Sequence, residues 1–171
     1  DRECEVVVNV QVDEPLIAPE NIDRVVRPLL ENAIESTVTL RILIKSCEEL
    51  MDRNVTKVVV DNSNSALYFS KAPIPWDRDK WGGDSIEYSS FDPLKSFWYK
   101  HIGLYAYRKK FLMGFGSLPD SGLEKIEKLE QLRILEGGFK IKVVETNIDS
   151  IGVDCEADLA IIEKHLAAVL P

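Results

Sequence analysis

No apolar run in the 171-residue chain approaches the roughly 18 residues that a membrane-spanning helix needs, and no charged-then-apolar leader opens it. A soluble, cytoplasmic protein with no membrane insertion is the expectation. Cysteine is scarce: Cys4, Cys47 and Cys155 are widely spaced, odd in number and form no CxxC pair. That excludes a zinc ribbon or dithiol motif and suits reduced thiols in a cytosol. Phosphate-cradling loops are absent, since neither GxGxxG nor GxxxxGKS/T occurs, and no GxSxG presents a serine nucleophile. Positive charge is outnumbered, with 21 Lys and Arg against 29 Asp and Glu, for a net charge of −8. Such a chain repels nucleic acid and anionic membranes, so an anionic ligand needs a local basic pocket or a metal.

What is present suits one globular domain over residues 1–171: 45% hydrophobic and 29% charged residues, with length enough for a full core. The chain starts DRECE, without Met, directly before a core-like strand, so a fragment or a processed start is expected. VVVNV (residues 6–10) reads as a strand that runs into Gln11, Val12, Asp13, Glu14 and Pro15. Carboxylates at the carboxyl end of a strand in an open α/β sheet can hold a metal, or can simply end the strand in a solvated turn.

Residues 19–33 carry Ile22, Val25, Val26, Leu29 and Leu30 at helical spacing, and Pro28 inside that pattern predicts a kink or an end near Arg27. TVTLRILIK alternates as a strand with a mostly polar second face, and SCEELMDRN fits a short helix capped by Ser46. Residues 57–60 and 66–70 read as a hairpin around Asp61, Asn62, Ser63 and Asn64. Residues 71–100 lack period and are rich in Pro, Gly and aromatics. Leaving Trp76, Trp81, Phe91, Phe97 and Trp98 in water is costly, so burial of this insertion against a partner subunit is expected. A strand over residues 102–107 leads into a short helix. DSGLEKIEKLEQLRILEGG then predicts one continuous helix, with a capping box at Ser121 and Glu124, a stripe of Leu123, Ile126, Leu129, Leu132 and Leu135, and Gly137 and Gly138 as its stop. FKIKVVET is a strand, and GVDCEADLAIIEKHLAAVL a turn and helix with Asp154 at the N-cap. Strands alternating with helices make this an α/β protein.

The candidate chemistry lies in few residues. Asp13, Glu14 and Asp154 could share a divalent cation, or serve only as turn and cap. His101, Gly103, Tyr105 and Tyr107 fall on one face of their strand, a polar row suited to hydroxyl or carboxylate recognition, although a lone histidine is commonly structural. Glu130 and Gln131 lie beside the apolar stripe, where a solvated face is the default. Pattern alone reaches a soluble α/β domain that could bind anions.

NVQVDEPLI, ALYFSKAPIPWDRD, YKHIGLYAYRKKFL, LEKIEKLEQLRILEGGFKIKVVE and GVDCEADL resemble, in that order, successive motifs of the 3-deoxy-manno-octulosonate cytidylyltransferases, the CMP-KDO synthetases. The sialic-acid cytidylyltransferases share fold and reaction, but HIGLYAYR and EKLEQLR look more like the KDO enzymes. The resemblance implies a Rossmann-like, glycosyltransferase-A-like nucleotidyltransferase sheet, incomplete at its amino-terminal end, with a dimerisation insertion. It implies a homodimer that converts CTP and KDO to CMP-KDO and pyrophosphate for lipopolysaccharide, with Mg²⁺. Carried over, Asp13 and Asp154 match the magnesium-binding catalytic aspartates, Gln11 a residue near the nucleotide, and Lys71, His101, Tyr105, Glu130 and Gln131 positions that hold the sugar acid. The family pattern has Gly where Val12 stands and Arg where Lys71 stands. Val resists positive φ and adds bulk, and Lys lacks the two-pronged grip of Arg, so both changes are expected to weaken binding. The family's amino-terminal strand and basic loop have no counterpart in the sequence, so the chain alone is expected to have little activity, or to serve as an assembly module that keeps the dimer surface and the sugar-acid pocket.

Overall fold

The structure, a computed structural model, describes residues 4–12, 14–81, 91, 97–150, 152–153, 159 and 162–163. Six strands form one mixed sheet: β1 Val6–Val10, β2 Thr37–Leu43, β3 Lys57–Val60, β4 Ala66–Ser70, β5 Tyr99–Arg108 and β6 Lys142–Glu145. The order is β4-β3-β5-β2-β6, with β1 also on β5. β2 pairs antiparallel along one edge of β5, and β1 and β3 divide the other edge, β1 at Leu104 to Arg108 and β3 at Tyr99 and Lys100. His101, Ile102 and Gly103 therefore lie opposite a gap between two strand ends, where the His101 N–H donates to the Thr56 carbonyl at 2.8 Å. β5 is longer than the predicted strand of residues 102–107 because it needs length to serve three partners.

Alternation along β5 separates two cores. Ile102, Leu104 and Ala106 face Val38, Leu40, Ile42 and helix α1 (Pro19–Glu31), while Tyr105 and Tyr107 pack with Val58, Phe69, Leu132 and Ile134 on the opposite face. Between Thr39 and Leu40 the pairing skips, since Thr39 faces Tyr105 and Leu40 faces Ile102. Two extra residues of β5 preserve parity across this irregularity, so Arg41 still stands opposite His101.

The hairpin of β3 and β4 forms over the predicted residues, and α2 (Cys47–Met51) has the Ser46 hydroxyl accepting from the Glu49 N–H at 3.1 Å. Pro28 does not end α1, contrary to expectation: the helix runs on to Glu31. Leu29, wholly buried, favours the extra turn by roughly 1.5–3 kcal/mol. Arg108 then takes up the free carbonyls at and beyond that helix end, donating to Leu29 at 2.5 Å, Asn32 at 3.1 Å and Glu35 at 3.0 Å.

The predicted continuous helix after Ser121 is two, α5 (Gly122–Glu127) and α6 (Gln131–Glu136), broken where Lys128 takes φ 58°. The capping box forms at Ser121, and Gly138 at φ 81° follows α6 as expected. What broke the periodic reading is polar. Glu127 turns to the sheet and accepts from the Ser70 hydroxyl at 2.7 Å and the Lys71 N–H at 2.9 Å, while Arg133 grips the Glu124 carboxylate at 2.6 and 2.8 Å. Ile126 is left exposed as a result, and Leu129 and Leu132 bury.

In the aromatic segment, which includes α3 (Arg78–Trp81), Trp81 and Trp98 stack at 5.0 Å, Phe91 adds at 5.8 Å, and the group packs near Ile44 and Leu50. These three rings find cover inside their own chain, without the partner that the sequence reading invoked. Phe97 and Trp76 remain exposed. Helix α4 (Lys109–Phe115) leaves the end of β5. The predicted C-terminal helix lies outside the described residues, apart from residues 159, 162 and 163, and no helix among the described residues is long and apolar enough to cross a membrane.

Replacing Arg108 by Ala should lower unfolding free energy by about 2 kcal/mol, since it strips charge-assisted bonds from three carbonyls. Urea denaturation reads this, with Arg108→Lys recovering part of the loss; a midpoint unchanged in Arg108→Ala would refute the capping role.

Candidate functional site

The gap in the edge of β5 opens into a cleft lined by Gln11, Glu14, Asn54, Thr56, Lys71, Lys100, His101 and Gly103, with Ser150 and Gly152 on its far rim. Gln11 and Glu14 arrive from the end of β1, and residues 54–56 from the start of β3. At residue 103 glycine lets the Gln11 side chain lie close, because a Cβ there would stand 2.6 Å from the Gln11 Oε1 atom and push that side chain aside. Glu14 in turn accepts a hydrogen bond from the Ser150 hydroxyl, tying the turn after β1 to the segment after β6.

His101 is held on three sides. Its Nε2 lies 2.8 Å from the Thr39 hydroxyl, the Phe69 ring meets it edge-on at 5.2 Å, and Tyr105 packs at 5.2 Å. Burial and then the Lys71 charge push its pKa down to about 3, so the ring is neutral at physiological pH. Tyr105 is 4% exposed and its hydroxyl has no partner among the described residues. Burial, Tyr107 and Glu130 raise its pKa, which keeps the phenol protonated.

Two lysines shape the rim. Lys71 donates through Nζ to the Asn54 carbonyl at 2.7 Å. Lys57, wholly buried, donates to the carbonyls of Asp52 at 2.7 Å and Val55 at 2.6 Å. Burial and the nearby Lys71 charge lower the Lys57 pKa to about 8. Lys100 bridges Glu49 at 2.7 Å and Asp149 at 2.9 Å; burial opposes its charge, but the two carboxylates outweigh burial and raise its pKa.

Of the predicted residues, the cleft thus gathers Gln11, Lys71 and His101, with Tyr105 against the His101 ring. Glu130 is not in it. That side chain lines a separate depression with Asn9, Tyr107 and Phe115, on the far side of the tyrosine row, and Gln131 is buried at the start of α6. Asp13 and Asp154 lie outside the described residues, although Gln11, Glu14 and Gly152, their near neighbours in sequence, all line the cleft. Val12 is fully exposed and is not among the residues of positive φ, so its backbone does not call for glycine. Thr39, Thr56, Lys57 and Lys100 were not predicted. Their signal was the polar second face of β2 and two lysines in otherwise apolar strands, but strand order was needed to bring them to one place.

The chain matches the cytidylyltransferase family over residues 1–141. It is 47% identical over 166 residues to a 3-deoxy-manno-octulosonate cytidylyltransferase of Pelobacter propionicus, covering 97% of this chain and 64% of that protein. It is 48% identical over 162 residues to the like-named protein of Geobacter sulfurreducens, covering 94% and 64%. The chain therefore spans about two thirds of the length of these relatives, slightly less. A solved structure of CMP:2-keto-3-deoxy-manno-octonic acid synthetase complexed with CTP superposes with a TM-score of 0.82 at 32% identity, over 98% of this chain and 64% of that one. The 4-diphosphocytidyl-2C-methyl-D-erythritol synthase of Anaerococcus prevotii, 14% identical with a TM-score of 0.54, shares the fold.

His101 should not protonate between pH 5 and 8 in the folded protein, as imidazole NMR in a His165→Asn background would show. Its folded pKa of about 3 lies below the unfolded value of 6.5, so the unfolded chain binds the extra proton between those values. Stability is then fully present above pH 6.5 and falls as pH drops below it. Urea midpoints between pH 5 and 6.5 should slope in the parent protein and flatten in His101→Phe; equal slopes would contradict this assignment.

Proposed function

The chain belongs to the cytidylyltransferase family, and from that premise we propose that it carries the sugar-acid site of a CMP-KDO synthetase, which joins CTP and KDO to give CMP-KDO and pyrophosphate for lipopolysaccharide. The observation that carries this reading is the cleft itself, where a cation at Lys71 and a neutral His101 stand side by side above Gln11. Lys71 supplies the charge that a sugar carboxylate needs in a protein of net charge −8. Gln11, which lies close to Gly103, would serve the nucleotide side, as the family pattern assigns it. Tyr105 offers a buried phenol with an unused donor. Glu130 and Gln131, which the family pattern also assigns to the sugar acid, stand apart from this cleft, so the reading rests on Lys71, His101 and Tyr105.

In the reaction the anomeric hydroxyl of KDO attacks the α-phosphorus of CTP. The bond to the β-phosphate bridge oxygen breaks, pyrophosphate leaves with that electron pair, and the hydroxyl proton passes to solvent. Asp13 and Asp154 would hold Mg²⁺, whose chemistry is to neutralise phosphate charge. Their carboxylates are the hard oxygen donors that this ion takes, and the residues flanking them in sequence reach the cleft. The chain's own groups orient the sugar: Lys71 fixes the carboxylate, and the His101–Tyr105 pair sets the hydroxyl side against it. We place the enzyme in the cytoplasm, where CTP is found, as a homodimer through the segment of residues 71–100, with the exposed Phe97 and Trp76 at the contact.

KDO should bind the 171-residue chain in calorimetry, at least tenfold more weakly in Lys71→Ala, and as tightly or more so in Lys71→Arg, whose fork matches a carboxylate. Absence of binding by the parent chain would end this reading. Pyrophosphate release from CTP, KDO and Mg²⁺ should be slight for this chain alone, and whatever release there is should vanish in Asp13→Ala.

Sedimentation at micromolar concentration should give a dimer that Phe97→Ser shifts to monomer. A parent chain that sediments as a monomer would remove the dimer.

A further inference from the structure

Thr39 lies on β2, on the buried polar side of the sheet, and takes no part in the reaction outlined above. Its hydroxyl has one proton and three neighbours: the Leu104 carbonyl at 2.8 Å, the Ile102 carbonyl at 3.4 Å and His101 Nε2 at 2.8 Å. A carbonyl can only accept. Were the hydroxyl proton directed at the imidazole, the Thr39 and Leu104 oxygens would face each other at 2.8 Å with no hydrogen between them, in a buried place where that repulsion is poorly screened. The proton therefore belongs to the Leu104 carbonyl. The Thr39 oxygen is left as an acceptor, and the group approaching it, His101 Nε2, must be the donor.

We infer that Thr39 is a positioning residue that fixes His101 as the Nε2–H tautomer, so that the site meets the sugar acid with an acceptor at Nδ1 and thereby selects a ligand hydroxyl at this point. The inference rests on the sugar-acid reading of the cleft and sharpens it, because it divides the two chemistries of the ligand. Nε2 is used up by Thr39, so every hydrogen bond from His101 to a ligand runs through Nδ1, which is unprotonated and can only accept. A carboxylate cannot supply a donor to it. That group is left to Lys71, whose ammonium beside a neutral ring also disfavours a second cation there. Phe69 and Tyr105, packed on the ring, keep it from flipping to offer the other nitrogen.

The test uses Thr39→Val, which keeps shape and removes the hydroxyl, and Thr39→Ser, which keeps the hydroxyl. Nitrogen-resolved NMR of the His101 ring should show Nε2 protonated in the parent chain and in Thr39→Ser, and a mixture of tautomers in Thr39→Val. KDO should bind about tenfold more weakly to Thr39→Val and within threefold of parent to Thr39→Ser. Among KDO analogues lacking one hydroxyl each, one should bind the parent chain weakly and lose nothing further in Thr39→Val. A parent ring protonated at Nδ1 overturns the inference while leaving the sugar-acid reading intact. So does unchanged KDO binding in a folded Thr39→Val. No KDO binding by the parent chain overturns the sugar-acid reading and the inference that rests on it.

Discussion

Everything in this protein is arranged around the need of one strand, β5, to satisfy two edges at once. Seven of its ten residues pair with β2 along one side, but on the other side two short strands, β1 and β3, share the work and do not meet. Buried backbone groups must find partners, so the interval between them is closed only where it can be, by the Thr56 carbonyl on the His101 N–H. The remainder is an opening in a sheet that is otherwise packed on both faces. Gln11, Thr56 and Lys71 reach it from the ends of strands, which have rigid neighbours, and not from a long free loop. That placement holds side chains more tightly than a loop would.

A second constraint follows from the polar face of β2 and β5. Thr37, Thr39, Arg41, His101, Tyr105 and Tyr107 are brought together by register, and burying such groups costs free energy wherever a donor or acceptor is left alone. Thr39 and His101 satisfy one another. Arg41 lies over the Tyr99 ring at 4.1 Å and bonds Glu145 at 3.1 Å. Tyr105 has no such partner: its buried hydroxyl is unpaired among the described residues, which is the kind of group that the proposed ligand would satisfy.

Much of this architecture was legible in the residues. Alternation gave β2, the hairpin and the shared face of His101, Tyr105 and Tyr107, because period two is set by backbone geometry and survives any tertiary setting. The five ordered motifs gave the family. The failures were also physical. Pro28 looked like a stop because the guanidinium that receives the helix end comes from Arg108, far along the chain. The stripe from Leu123 to Leu135 looked like one helix because Glu127 has a partner, Ser70, that no local pattern reveals. Most of the aromatic rings, read as waiting for another subunit, had Ile44 and Leu50 of their own chain to cover them. In each case a long-range partner outweighed local preference. Thr39 was passed over for the same reason, since a threonine in a strand says nothing until its neighbour across the sheet is known.

The rim at residues 52–56 is held in an unusual manner. Lys57 and Lys71 grip it by three main-chain carbonyls, those of Asp52, Asn54 and Val55, and not by the side chains of these residues. A carbonyl is common to every amino acid. Apart from the Asp52 carboxylate, which accepts from the Asn54 N–H at 2.8 Å, the lysine grip on this side of the cleft does not depend on which residues occupy the loop, so that substitutions there can retune what the rim presents while its path is held. Evolutionary change in selectivity has a low threshold at such a place, and the two lysines, which lie outside the segment they hold, are where it would meet resistance.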